Sequence, residues 1–153
     1  MKTYKPRFLF KNGDINTIYP SFFRKVKVKY TRERIELKDG DFLDIDRIKN
    51  GNKKVAVLCH GLEGSSNSNY IRAAASLLSK NKYDIVAVNY RSCSGELNRL
   101  PRFYHAGATS DLREVIEHIE KDYESIYLAG YSLGANLVLK YLGVEALNDG
   151  KIK

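Results

Sequence analysis

Cysteine is scarce in this sequence: only Cys59 and Cys93 occur among 153 residues. Two cysteines are too few for a disulfide framework, and the expectation is a reducing, cytoplasmic setting. No N-terminal stretch joins basic residues to a long apolar run and a small-residue cleavage site. The longest apolar runs, such as VAVLC and IVAV, fall far short of the roughly 20 residues that a membrane-spanning helix needs. Repeats, low-complexity tracts and Pro- or Ser-rich linkers are also lacking, so residues 1–153 read as one unit. The glycines of HGLEGSSNS lack both the G-K-[ST] ending of a phosphate loop and the spacing of a dinucleotide site. No RRM, KH or zinc-finger signature is present, and no nucleic-acid partner, metal or cofactor is expected.

What is abundant is positive charge, and it is unevenly placed. Residues 1–54 hold 15 Lys or Arg against 7 Asp or Glu, whereas residues 55–153 hold 11 of each, giving a net charge of +8. A solvated outer face and attraction to anionic surfaces both fit that excess. RKVKVKYTRERIEL alternates charged and apolar residues in the manner of a half-buried strand.

The chain changes character after Lys54. Before it, an irregular start containing NGDINTIYPSFF leads to two strand-like segments, Arg24 to Leu37 and Phe42 to Arg47, around the turn KDGD. Beyond it, VAVLC from Val55, IVAV from Ile85 and IYLAG from Ile126 lack polar alternation, as strands covered on both faces do. Between them lie two helical patterns, one with Ile71, Ala74, Leu77 and Leu78, the other with Leu112, Val115, Ile116 and Ile119. Alternating strands and helices predict an α/β fold: a mostly parallel sheet with helices on both faces, preceded by an antiparallel strand pair. Reactive groups of such sheets gather in loops beyond the carboxyl ends of the strands.

One such loop, GYSLG, has the G-x-S-x-G pattern between the strand SIYLA and the helix GANLVLKYL. A sharp turn of this kind presents its serine to solvent and needs small residues where the backbone nears its neighbours. Ser132 is then a candidate nucleophile, with Gly130 and Gly134 supplying the room; the alternative is a serine that merely caps the helix. An attacking serine makes an oxyanion, which requires donors already in place. Leu133 N–H, at the positive end of its helix, is one candidate. Leu62 N–H, aimed by a turn at Gly61 in CHGLEG, is the second, with His60 bracing the loop.

HGLEGSSNSNYI, NYRSCSGELNRLPRFYHAGATSDL and GYSLGANLVLKYLG together resemble the YheT-like branch of the α/β-hydrolase fold, related to abhydrolase-domain lipases and esterases. NGDINTIYPSFFR is similar to that branch's entry segment, and the resemblance runs in order along the chain. One departure is Ala135, where many relatives carry a second glycine. The resemblance implies hydrolysis of a small-molecule carboxylic ester with an apolar acyl group, through a Ser-His-Asp triad and an acyl-enzyme, without cofactor. It matches Ser132 to the nucleophile and Leu62 and Leu133 to the oxyanion donors. It also implies that 1–153 is a partial domain, cut after the elbow helix, with 1–54 as entry segment and antiparallel strands and 55–153 as the core.

The triad partners of this fold follow the serine in the order acid, then histidine. No histidine follows Ser132, and the acids after it, Glu145 and Asp149, come too soon to stand on a later strand. Of the upstream histidines, His105 lies in a loop that could face the pocket, His118 in a charged helix, and His60 in the oxyanion loop. Cys93 is a further nucleophile candidate without an assignable base, whereas Cys59 reads as core. The expectation is an esterase portion that is inactive alone and open to a complementing C-terminal chain, or else a non-catalytic interaction protein.

Overall fold

The computed structural model describes residues 5–23, 26–144 and 150–152. Glu145 and Asp149 lie outside the described residues. The core is a five-stranded mixed sheet built from β1 (Thr31–Glu36), β2 (Phe42–Ile48), β3 (Lys54–Cys59), β4 (Asp84–Asn89) and β5 (Ser125–Gly130), in the order β1-β2-β4-β3-β5. β1 and β2 pair antiparallel, as do β2 and β4, while β3 runs parallel to both β4 and β5. Helices α2 (Asn69–Lys80), α3 (Thr109–Ile119) and α4 (Leu133–Val144) complete the α/β layers.

The apolar runs form strands because both of their faces are covered. Val55, Val57 and Cys59 of β3, with Val86 and Val88 of β4, join Leu112, Val115 and Ile116 of α3 and Leu137, Val138 and Tyr141 of α4 in one cluster. The alternate residues Ala56, Leu58, Ile85 and Ala87 pack on Ile71 and Ala75 of α2 on the other face. A period of two along each strand thus feeds two cores. The predicted face of α3 is buried throughout, whereas Leu77 of α2 is exposed and Ala75 takes the core position.

β2 is buried along nearly its whole length despite carrying Asp44, Asp46 and Arg47. Each charge is paired across the ladder: Arg34 forks onto Asp44, Arg32 onto Asp46, and Arg47 reaches Glu33. Arg91, 1% exposed, is held by Asp39, Asp41 and Asp111, tying the end of β4 to the β1–β2 turn and to α3. Burial would raise the pKa of Asp41, but hydrogen bonds from Asn98 and from the N–H groups of Arg99, Phe42 and Leu100 outweigh it and pull the carboxyl down to about 2.

Two features correct the sequence reading. Residues Gly13–Phe23, read as irregular, form helix α1, whose free N–H groups at Asp14 and Ile15 are accepted by the Asn12 side chain. The strand expected from Arg24 starts only at Thr31. Beyond α4, Ile152 forms a parallel bridge with Ile126, and Ile126 N–H donates to Lys151 C=O at 2.9 Å. Among the described residues no helix is long and apolar enough to cross a membrane.

Candidate active site

The turn between β5 and α4 is a tight joint. Tyr131 N–H donates to Cys59 C=O at 3.0 Å, and the N–H groups of Ala135 and Asn136 return to Ser132 C=O at 2.9 and 3.2 Å. Ser132 sits at φ 53°, in the left-handed region that a side-chain-bearing residue enters at a cost of about 1–2 kcal/mol. Both flanking glycines are required by space. A Cβ on Gly130 would collide with the Gly134 carbonyl, and one on Gly134 with the carbonyls of Cys59 and His60. Gly134 is thus the point where the elbow helix rides over the end of β3. The result is an exposed Ser132 on a rigid bend.

Opposite it, residues 60–64 wrap around the carboxyl end of β3. A Cβ on Gly61 would lie 3.3 Å from both Ser132 Cβ and Tyr131 O, so this residue allows the loop to approach the serine. The left-handed residue of the loop is Glu63, at φ 53°, and not Gly61, which corrects the expectation that Gly61 makes the turn by its backbone freedom. Gly61 N–H donates to the Tyr70 hydroxyl at 3.0 Å, Glu63 N–H to the Tyr104 hydroxyl at 2.8 Å, and Gly64 N–H to Gly61 C=O at 3.1 Å. Between these three engaged donors, Leu62 N–H has no acceptor among the described residues. Leu133 N–H, the first of α4, also has none.

His60 is buried and committed at both ring nitrogens. Its Nε2 accepts from Tyr90 N–H at 3.3 Å, which leaves the proton on Nδ1, 2.6 Å from Gly61 C=O. Burial lowers its pKa and keeps the ring neutral. Its ring lies 4.1 Å from that of Tyr90 and 6.4 Å from that of Tyr104, so it braces the loop from beneath. His105 lines an apolar crevice with Leu133 and Leu137, but its Nδ1 accepts from Gly107 N–H at 3.2 Å. His118 pairs with Glu33 at 2.6 Å, on the β1 side of the sheet. Among the described residues none hydrogen-bonds Ser132 Oγ. Cys93, with its thiol pushed up by burial, lies in a cleft of about 580 Å³ beside Glu63, Gly64, Leu97, Phe103 and Tyr104.

Tyr70, Tyr104 and Gly64 are site residues that the sequence reading missed. A Cβ on Gly64 would lie 2.8 Å from the Tyr70 hydroxyl and 3.0 Å from His60 Nδ1. The only signal for it was the second glycine of HGLEG, and a tyrosine that accepts a loop N–H leaves no trace in periodicity.

The alpha/beta hydrolase fold family matches residues 54–153, and the chain belongs to that family. The YheT-like likeness read from the sequence also holds. The chain is 37% identical to YheT of Escherichia coli (strain K12), which carries an esterase name, over 92% of this chain and 43% of that one. It is 34% identical to embryogenesis-associated protein EMB8 of Picea glauca, over 90% of this chain and 33% of that one. The chain therefore spans well under half the length of these curated relatives. Among solved structures, the esterase Pf2001 of Pyrococcus furiosus shares the fold with a TM-score of 0.68, at 21% identity over 81% of this chain and 48% of that one.

Proposed function

We propose that this chain carries the nucleophile and oxyanion half of a serine ester hydrolase, residues 1–153 forming part of one domain. Ser132 Oγ attacks the ester carbonyl carbon, its proton passing to a base, and the carbonyl oxygen becomes an oxyanion held by the N–H groups of Leu62 and Leu133. Collapse expels the alcohol and leaves an acyl group on Ser132, which water then hydrolyses. The observation that carries this reading is a pair of N–H groups without an acceptor among the described residues, Leu133 beside the exposed serine and Leu62 opposite it between the engaged donors of Gly61 and Glu63. The cleft beside the loop, with Leu97 and Phe103 on its wall, suits a substrate with an apolar acyl group.

The base and acid are assigned to residues outside this sequence, because His60 is engaged at both nitrogens and His105 and His118 have other partners. On this reading the chain alone is inactive or very weak, keeping only what an oxyanion hole and binding supply. The test is to offer it p-nitrophenyl esters of short and medium chain length and a fluorophosphonate probe, beside Ser132→Ala. Slow labelling confined to Ser132 is expected. Robust turnover that depends on Ser132 would overturn the inactivity, and labelling that persists in Ser132→Ala would overturn the nucleophile.

A second reading is favoured by β5. Five of its six residues, all but Ile126, are half-buried where β3 is buried from Val55 to Cys59, and the Ile152 bridge occupies only its start. Such an edge suits a complementing chain that adds a strand there. A clean, stable monomer in size-exclusion chromatography with light scattering would count against it.

A further inference from the structure

We propose that the short 3-10 turn Phe8–Lys11 and helix α1 form a docking element for an anionic lipid bilayer surface. The first observation is where the charge lies. Residues 1–30 hold 8 Lys or Arg and a single acid, Asp14, whereas residues 31–153 hold 18 and 17, so the excess of the protein sits in its first thirty residues. The second is pairing. Arg32, Arg34, Arg47, Arg91, Arg99 and Arg102 all face carboxylates. Among the described residues Lys5, Arg7, Lys11, Lys27 and Lys29 face none. The described cations of the first thirty residues are therefore available to an outside anion, whereas these six arginines are not.

The third observation is apolar exposure on the same element. Ile15, Ile18, Tyr19 and Phe23 recur at i, i+3, i+4 and i+8 on α1, which puts them on one face, and they are 40%, 53%, 49% and 66% exposed. Phe8 and Leu9, just before, are 84% and 65% exposed. Tyr19 joins Phe10 and Phe23 in ring contacts at 5.3 and 5.1 Å, so the apolar face is an aromatic ridge. Next to it, Lys5 and Arg7 line an open cleft of about 470 Å³ with Phe10 and Asn16, a fit for a phosphate headgroup. A short amphipathic helix with aromatics on one side and unpaired cations around it is the chemistry that lies in a lipid interface. Solvation does not explain the ridge, and a single-stranded nucleic acid, which would stack on the aromatics, leaves the exposed aliphatic side chains of Leu9, Ile15 and Ile18 without a role.

Partitioning to such a surface requires both parts, and each basic side chain near an anionic leaflet adds favourably to it. The experiment is sedimentation of the whole chain with vesicles of phosphatidylcholine alone or of an equimolar mixture with phosphatidylglycerol, at low and high salt. Binding to the mixed vesicles is expected, with at least tenfold loss in phosphatidylcholine, at high salt, or in the triple variant Lys5→Glu/Arg7→Glu/Lys11→Glu. Ile18→Ser/Phe23→Ser should lose binding while keeping the far-ultraviolet circular dichroism of the parent. Ser132→Ala should bind as the parent does, which separates this proposal from the hydrolase reading. Equal binding to both vesicle types, no effect of either set of substitutions, binding to single-stranded RNA but not to vesicles, or self-association through α1 without vesicle binding would each overturn it.

Discussion

β3 and β5 lie side by side, carry comparably apolar sequences and differ in everything that burial confers. Val57 of β3 and Leu128 of β5 are partners in register and touch the same core cluster, but Val57 is fully enclosed and Leu128 half-exposed. β3 has a strand on each side and ends in a loop whose donors are nearly all satisfied. Among the described residues β5 has one strand beside it and only the Ile152 bridge on its other side, and it leads into the exposed serine. An apolar run therefore announces a strand that expects two neighbours; whether it has both is a property of the rest of the sheet.

The sharpest way to break this contrast is to place the same charge on both partners. Val57→Lys should prevent folding or cost more than about 4 kcal/mol in chemical denaturation, because no partner awaits a buried ammonium. Leu128→Lys should cost only about 1–2 kcal/mol, since its long stem can reach solvent. Equal costs would show that β5 is as enclosed as β3. Next is Gly134→Ala at the joint of the two strands, expected to lose about 3–5 kcal/mol and the fluorophosphonate reactivity of Ser132, because the new methyl meets the carbonyls of Cys59 and His60.

The closed side should also be the acid-sensitive one. The Asp41 carboxyl falls from an ordinary 3.8 to about 2 in the folded chain, so its contribution is complete above 3.8 and is lost as pH falls towards 2. Asp41→Asn should flatten the stability profile in that window, read by urea denaturation at successive pH values. Tyr104→Phe, which strips the acceptor from Glu63 N–H, should cost about 1 kcal/mol and slow labelling of Ser132 more than it lowers stability would suggest. The smallest effect is expected on the open side: Ser132→Gly removes a side chain from a left-handed residue and should stabilise by about 1 kcal/mol in thermal unfolding.

Strands β3, β4 and β5 and helix α3 were legible because each is written as a short apolar run or a period of 3.6. The elbow was legible because its two glycines answer to a spatial need that G-x-S-x-G states outright. β2 was harder: FLDIDRI alternates like a strand with one wet face, but its charges are paired by Arg34, Arg32 and Glu33, 10 to 14 residues away. Helix α1 was hidden by Gly13 and Pro20, although Asn12 capped it. Tyr70 and Tyr104 were invisible because their role is to accept a hydrogen bond across space, from residues 9 and 41 positions away.

His60 gives the loop of residues 60–64 a tolerance limit of its own. Its neutral ring accepts a hydrogen bond at Nε2 from Tyr90 N–H and donates one from Nδ1–H to Gly61 C=O. Adding a proton would set Nε2–H against Tyr90 N–H, two donors facing each other at a fully buried ring. Burial opposes that event by holding the ring's pKa below its ordinary 6.5. How far into acid the loop keeps its shape is therefore decided by a side chain facing away from the serine, and the rim of the site is only as durable as the neutrality of the imidazole beneath it.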